Sequence, residues 1–258
     1  MTVTFIAHSA FLVEWEKFCA LFDYTWEPDY TAPLPEIDPE KPLLVFASHS
    51  HEDHFDPKIF TLLEQYPSAR FFVSRDTRLT ERRRKWLNIS DEAFARTTVL
   101  RPDSILLTEA AGEELCIRAI KSTDIGNAYL LRAEGKLVYH GGDLNWWHWE
   151  SEGKSFCSDM EVHYRAAIDK LVSAVRDEAA DNGIAPELFA AMAPLDPRLG
   201  ERAEGLGIEL LMRSVPVRHL FPMHMWKRYE VIGRYLAAHP AQRDAVMRIT
   251  HEGERFEL

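Results

Sequence analysis

Apolar positions along the chain follow two periods, and the changes between them mark the elements. Near the N-terminus, Val3 to Ile6, Phe11 to Trp15 and Cys19 to Phe22 are short apolar runs separated by a few small or polar residues. The spacing predicts three strands paired as an antiparallel meander. Trp26 to Pro42 carries Pro28, Pro33, Pro35, Pro39 and Pro42, which forbids a regular helix or central strand and predicts a surface loop. The next run, Leu43-Leu44-Val45-Phe46-Ala47, is apolar throughout, the pattern of a strand buried on both faces.

Asp56-Pro57 predicts a helix start, with the helix running to about Tyr66 and stopped by Pro67. Arg70 to Ser74 reads as a strand and Thr77 to Leu87 as a helix. That helix carries Arg78, Arg82, Arg83, Arg84 and Lys85, which read either as one solvated face or as a site for an anionic group. A second block of strand-like runs follows: Thr98 to Leu100, Ser104 to Thr108, Leu115 to Lys121, Ala128 to Arg132 and Leu137 to His140. Gly112, Gly126 and Gly135 stand in the turns between them. Ser158-Asp159-Met160-Glu161 has the form of a capping box and predicts a long helix to about Ala180, with Ile168, Leu171, Val172 and Val175 as its core stripe. Leu188 to Met192 and Arg218 to Phe221 are strands. Glu201 to Arg213 and Trp226 to Ala238 are helices, the second with Tyr229, Ile232, Tyr235 and Leu236 inward. There is no repeat, low-complexity segment or linker. The order of elements is accounted for by one α/β domain over residues 1–258, with two stacked mixed sheets covered by helices.

Composition narrows the class. The net charge of -11 argues against a surface that grips nucleic acid, where clustered cations supply the affinity. Cys19, Cys116 and Cys157 are too few and scattered for a disulfide framework and fit buried thiols in a reducing compartment. The N-terminus lacks the basic-then-apolar pattern of a signal peptide, and no apolar run is long enough to span a bilayer. The expectation is a cytoplasmic protein with a small-molecule substrate and no membrane partner.

The chemistry concentrates in His49-Ser50-His51-Glu52-Asp53-His54, directly after the buried strand and so in a loop at its C-terminal end. Three imidazoles and a carboxylate suit zinc and its neighbours. In a turning loop, one pair can face one ion and the other pair a second. Farther on, His140-Gly141-Gly142-Asp143 closes a strand, and the two glycines allow a sharp turn there. Trp146, Trp147, His148 and Trp149 follow at once. They read as a wall of a substrate pocket or as a plug at the end of the domain. His8, in the first turn, reads either as a residue approaching the site or as a hydrogen-bonded structural histidine.

The stretch from His49 to His54 resembles the His-x-His-x-Asp-His signature of the metallo-β-lactamase superfamily. The phrase His8-Ser9-Ala10-Phe11-Leu12-Val13-Glu14 looks like the opening of the ascorbate-6-phosphate-lactonase-like branch within it. The resemblance implies a four-layer αββα sandwich and one or two divalent ions, zinc foremost, with manganese or iron as the other choices. It implies His49 and His51 on one ion, Asp53, His54 and His224 on the other, and Asp143 bridging the two. It also implies a metal-dependent hydrolase in which an activated water attacks an ester, lactone or phosphoester. Asp53 and Asp143 are the catalytic carboxylates in that scheme, and Asp53 takes or relays the proton. A phosphodiesterase or nuclease of the same fold, and a non-catalytic metal-binding protein, are the other functions open to such a chain.

One departure stands out. The superfamily usually supplies a further histidine between His54 and His140, and this chain has Lys121-Ser122-Thr123-Asp124-Ile125-Gly126 instead. Asp124 either replaces that ligand or caps its turn.

Overall fold

The computed structural model describes all residues from Met1 to Leu258. Its first sheet holds β1 (Thr2–Ala7), β2 (Ala10–Glu14), β3 (Cys19–Phe22), β4 (Leu43–Ala47), β5 (Arg70–Ser74) and β6 (Thr97–Leu100), with β13 (Glu254–Glu257) outside β1. The second holds β7 (Ile105–Ala110), β8 (Glu113–Lys121), β9 (Asn127–Ala133), β10 (Lys136–His140), β11 (Leu188–Pro194) and β12 (Val217–Met223). Both sheets are mixed. The first is antiparallel from β13 to β3 and parallel from β3 to β6; the second is antiparallel from β7 to β10 and parallel from β10 to β12.

The alternation of side chains in β4 shows how the layers are made. Leu44 and Phe46 enter the large core shared by the two sheets, while Leu43, Val45 and Ala47 enter a second core beneath the first sheet. Both faces are dry, which is why the strand reads as an unbroken apolar run. The helices α1 (Leu62–Gln65), α2 (Glu81–Trp86) and α3 (Asp91–Ala95) belong to the first sheet's outer side, where Leu62 and Ala93 are buried in the second core. On the other side, α4 (Gly153–Asn182) contributes Ile168, Leu171 and Val175, and α5 (Leu206–Ser214) contributes Ile208 and Leu211, to the shared core. The last helix is α6 (Glu230–Ala238). Two mixed sheets flanked by helices are therefore the architecture expected from the order of elements.

Several boundaries differ from the sequence pattern, each for a local reason. The segment after Asp56 is a 3-10 turn, Pro57–Thr61, before the short α1. The helix expected from Thr77 begins at Glu81, because Thr80 accepts the Arg83 amide as its cap and Arg78 is left-handed. Ser158 is no cap: α4 begins earlier, at Gly153, and Glu161 pairs forward with Arg165 at 2.8 Å. α5 starts at Leu206 rather than Glu201. α6 starts at Glu230 rather than Trp226, since Trp226 and Lys227 adopt φ of 55° and 59°. The N-terminus of α6 therefore does not adjoin His224 in the chain. The strand β13 is too short and charged to show in the pattern, and it exists through its antiparallel pairing with β1.

The mixed topology places the ends of β3, β4, β10, β11 and β12 at one edge of the molecule, where β3–β4–β5 and β10–β11–β12 run parallel. The turn after β8 closes tightly on this edge. A Cβ on Gly126, at φ +74°, would lie 2.2 Å from the Ser48 carbonyl oxygen and 2.5 Å from His49 Cβ. Gly126→Ala should therefore destabilise the protein by upwards of about 2 kcal/mol and displace His49. Gly112→Ala, at a turn with the same φ and nothing within 4 Å of the new Cβ, should cost about 1 kcal/mol. Equal denaturation midpoints for the two variants would show that the close approach to β4 does not matter.

Candidate metal centre

Each polar residue of the centre follows a strand end at that edge. Asp23 follows β3, Ser48 to His54 follow β4, Asp124 follows β8, Asp143 follows β10, Asp196 follows β11 and His224 follows β12. His8 lies in the turn between β1 and β2. Gly142 permits Asp143 its position: φ there is +50°, and a Cβ would stand 2.7 Å from Ser48 Cβ.

Two groups of metal-competent atoms form, each with its ligand atoms within 4.8 Å of one another. One comprises His8, Asp53, His54 and His224; the other comprises His49, His51, Asp124 and Asp143. Asp143 lies between them, with Oδ1 at 3.0 Å from His54 Nε2 and Oδ2 at 3.4 Å from His49 Nε2. Asp53 Oδ2 sits 3.3, 3.5 and 3.6 Å from Nε2 of His8, His54 and His224. His51 Nδ1 is 3.0 Å from His49 Nε2 and 3.8 Å from Asp124 Oδ2. The groups differ in depth: the side chains of His54 and His224 are 0% and 3% exposed, those of His51 and Asp124 48% and 41%.

A second layer of residues sets the imidazole tautomers. Asp23 can only accept, so His54 Nδ1–H donates to its Oδ2 at 2.7 Å. Ser48 Oγ donates to the same oxygen at 2.6 Å and so accepts from His49 Nδ1 at 2.9 Å. The Ser48 amide donates to Asp23 Oδ1 at 2.7 Å. Asp196 accepts from His224 Nδ1 at 2.9 Å. With those protons placed, Nε2 of His49, His54 and His224 each aims a lone pair inward. His54 Nε2, His224 Nε2 and Asp143 Oδ1 are buried without a hydrogen-bond partner. Acceptors crowded together out of water are costly unless a cation satisfies them, so these residues fit a metal.

The ionisation of the groups carries the same message. Burial pushes the Asp143 carboxyl up, but the charges of His54 and His224 outweigh it and hold the group well below the usual range. Burial alone would lower His224; Asp143, with hydrogen bonds to Asp196 and Asp53, raises it to about 9. Burial would lower His54 too, but Asp143, Asp23 and Asp53 raise it well above its usual value. Positive charge is demanded here, by protons in the metal-free protein or by a cation that displaces them. Burial lowers His8 to about 4, so it is neutral.

The centre opens into a cavity of about 810 Å3. Trp147 lines it, with its indole N–H bonded to the Asp143 carbonyl at 2.9 Å and its ring against His224. Trp146 and His148, expected on the same wall, do not line it. Trp146 instead packs near Tyr164 under Arg165, because successive side chains in this turn diverge. Trp149 and Tyr30 line the cavity as well, and so do Trp226 and Arg198, for which the sequence pattern gives no pocket signal. His8 contacts Asp53 and faces a smaller adjoining cavity of about 310 Å3. Asp23 and Asp196 carry no local signal beyond a carboxylate after a strand.

Residues 2–162 match the family described as Beta-lactamase superfamily domain, and the chain belongs to it. No curated protein sequence matches. Among solved structures, the chain is similar to Igni18, a metallo hydrolase from the hyperthermophilic archaeon Ignicoccus hospitalis. The two share 18% identity and a TM-score of 0.57, over 100% of this chain and 98% of that one. It is also similar to an isothiocyanate hydrolase from Delia radicum gut bacteria, with 12% identity and a TM-score of 0.58 over 100% and 99%. A third likeness is to CmlA, a diiron β-hydroxylase from Streptomyces venezuelae, with 10% identity and a TM-score of 0.58 over 100% of this chain and 54% of that one. At these identities the likeness is one of fold. The family match reaches the superfamily and not the ascorbate-6-phosphate-lactonase-like branch.

Asp23→Asn keeps the shape of the side chain and removes the charge that orients His54 and Ser48. Metal affinity, read by chelator competition, should fall about 10–100-fold; unchanged affinity would deny Asp23 this role. The second expectation concerns pH. In metal-free protein the folded pKa of His224, about 9, lies above its ordinary 6.5, so its stabilising protonation is complete below about 6.5 and lost as pH rises through 9. Chelator-treated protein should lose up to about 3 kcal/mol between about pH 6 and about pH 10, whereas metal-loaded protein should not. Parallel denaturation curves for the two forms would contradict this.

Proposed function

We propose that the protein is a metal-dependent hydrolase that cuts an ester, lactone or phosphoester bond of a small molecule. The observation that carries this is the convergence of partnerless Nε2 atoms of His54 and His224 with Asp143 Oδ1 at the base of an open cavity. The deeper position is assigned to Asp53, His54 and His224, the outer one to His49, His51 and Asp124, with Asp143 between them. A divalent cation there would lower the pKa of water towards neutrality and polarise the oxygen under attack. The chain's own part is orientation and proton handling. Asp53 faces the cavity and accepts the proton that the attacking water loses, while His8 Nε2 holds its Oδ2. The Trp147 indole fixes the Asp143 carbonyl and shields His224. Zinc is assigned first. Asp124 makes the outer position richer in oxygen, which favours manganese or iron there relative to zinc. The carboxylates of Glu52, Asp53 and Asp124 on the cavity wall support a small molecule over a polyanionic strand, and a nuclease is the second reading. The buried free thiols of Cys19, Cys116 and Cys157 suit a reducing, cytoplasmic setting.

Protein purified without chelator should carry about one to two transition-metal ions per chain. It should turn over at least one member of a panel of esters, lactones and phosphodiesters, lose that activity on chelation and regain it on metal addition. Asp143→Asn should lower both metal content and turnover, and Asp124→Ala should bring the stoichiometry towards one with circular dichroism unchanged. Protein that neither holds nor takes up zinc, manganese or iron would sink the proposal. Full metal with no turnover would favour a non-catalytic metal-binding protein.

A further inference from the structure

Arg198 is the single lysine or arginine on the wall of the metal-site cavity. Its guanidinium is in contact with three side chains. Nε reaches Asp196 Oδ1 and Oδ2 at 3.0 Å each, and Nη2 reaches Oδ2 at 2.6 Å. Its Cζ lies 4.1 Å from the Trp226 ring centroid and 5.4 Å from that of Trp149, and both indoles line the same cavity. The backbone is fixed as well: Asp196 caps the 3-10 turn Pro197–Leu199 by accepting the Arg198 amide at 2.9 Å.

These contacts use the Nε–Nη2 edge and leave the end of the guanidinium free. Nη1 has no hydrogen-bond partner in the protein, and the side chain is 36% exposed. The Nη1–Nη2 end presents two parallel N–H groups, the fork that pairs with an oxyanion in two hydrogen bonds. Asp196 is wholly buried and is already neutralised through the other edge. That pairing alone does not require the guanidinium to form part of a cavity wall beside two indoles. The surrounding apolar surface of Trp147, Trp149, Phe156, Met160 and Trp226 suits the organic body of a ligand.

We propose that Arg198 anchors an oxyanion group, carboxylate or phosphate, carried by the substrate apart from the bond to be cut. The substrate class is then a small organic acid or phosphate monoester that also contains a hydrolysable bond. Use of the word substrate rests on the hydrolase reading above; the anion site itself does not. The shared Asp196 ties this site to the metal centre, since Asp196 Oδ2 meets both Arg198 Nη2 and His224 Nδ1.

The test is calorimetric binding to the full-length, metal-loaded chain, with metal content measured for every variant. Phenylacetate and phenylphosphonate are the anionic probes, and phenylacetamide is the neutral one. Wild type should bind at least one anion about 10-fold or more tightly than the amide. Arg198→Gln should abolish that preference without changing metal content, and Arg198→Lys should keep part of it, because the charge remains and the fork does not. Whichever anion shows the larger loss in Arg198→Gln identifies the group as carboxylate or phosphate. An anion preference that survives in Arg198→Gln comes from the metals and overturns the proposal. So does a wild type that binds all three probes alike, or metal loss in both variants, which would make Arg198 a support for His224 only. Binding is read without turnover, so a chain that hydrolyses nothing refutes the hydrolase reading and leaves Arg198 to be judged by these affinities.

Discussion

Asp143 Oδ1 and His54 Nε2 face each other at 3.0 Å, both buried and both acceptors once Asp23 holds the proton on the far side of the ring. Two acceptors at that distance out of water repel unless positive charge stands between them. The rest of the site follows from this constraint. Asp23 and Asp196 are placed where they keep the outer ring nitrogens protonated, so that the inner ones stay available. The strands are arranged so that their ends deliver these carboxylates and imidazoles to one place, and the sheets beneath are dry and stiff enough to hold them.

The arrangement is maintained against local backbone preference. His8, Asp23, His224, Trp226 and Lys227 all have positive φ, between 45° and 61°, though none is glycine. Such residues cost about 1–3 kcal/mol each and persist only where their surroundings over-determine them. The surroundings here are specific: the His224 amide donates to the His8 carbonyl at 3.0 Å, and the Asp23 amide to the Phe46 carbonyl at 2.9 Å. The first contact joins the turn after β1 to the end of β12, so the two sheets are tied together at the residues that face the centre. Other left-handed residues, Arg78, Asn88, Asp103, Ala111 and Glu134, lie away from the centre.

The two halves of the centre are unequal. The deeper one is enclosed and backed by Asp23 and Asp196, whereas His51 and Asp124 are nearly half exposed. Membership of the β-lactamase superfamily domain family accounts for the shared frame, and the hydrolases and the diiron β-hydroxylase of similar fold show that this frame serves different chemistries. Around the centre this chain carries a carboxylate at Asp124, an aromatic rim, and an arginine packed against two indoles.

Much of this was legible in the chain itself. The apolar run of β4, the meander before it and the Gly-Gly-Asp turn after β10 signal through neighbours in sequence. A dry strand or a sharp turn needs its residues side by side, so the elements, the two mixed sheets and the grouping from His49 to His54 could be read directly. Helix starts were less legible: Ser158 lies inside α4, which begins at Gly153, and α2 begins only after Thr80, whose side chain accepts the Arg83 amide. Tertiary structure alone decided the remainder. Asp23 and Asp196 are single carboxylates after strands, as Asp103 is, until the fold brings His54 and His224 against them. The Trp-rich turn likewise shows its composition but not its direction: Trp147 and Trp149 face the cavity, and Trp146 faces Tyr164. Residue type and spacing determine which groups the chain offers; which of them meet, and which nitrogen each ring leaves free, depends on contacts between residues far apart in sequence.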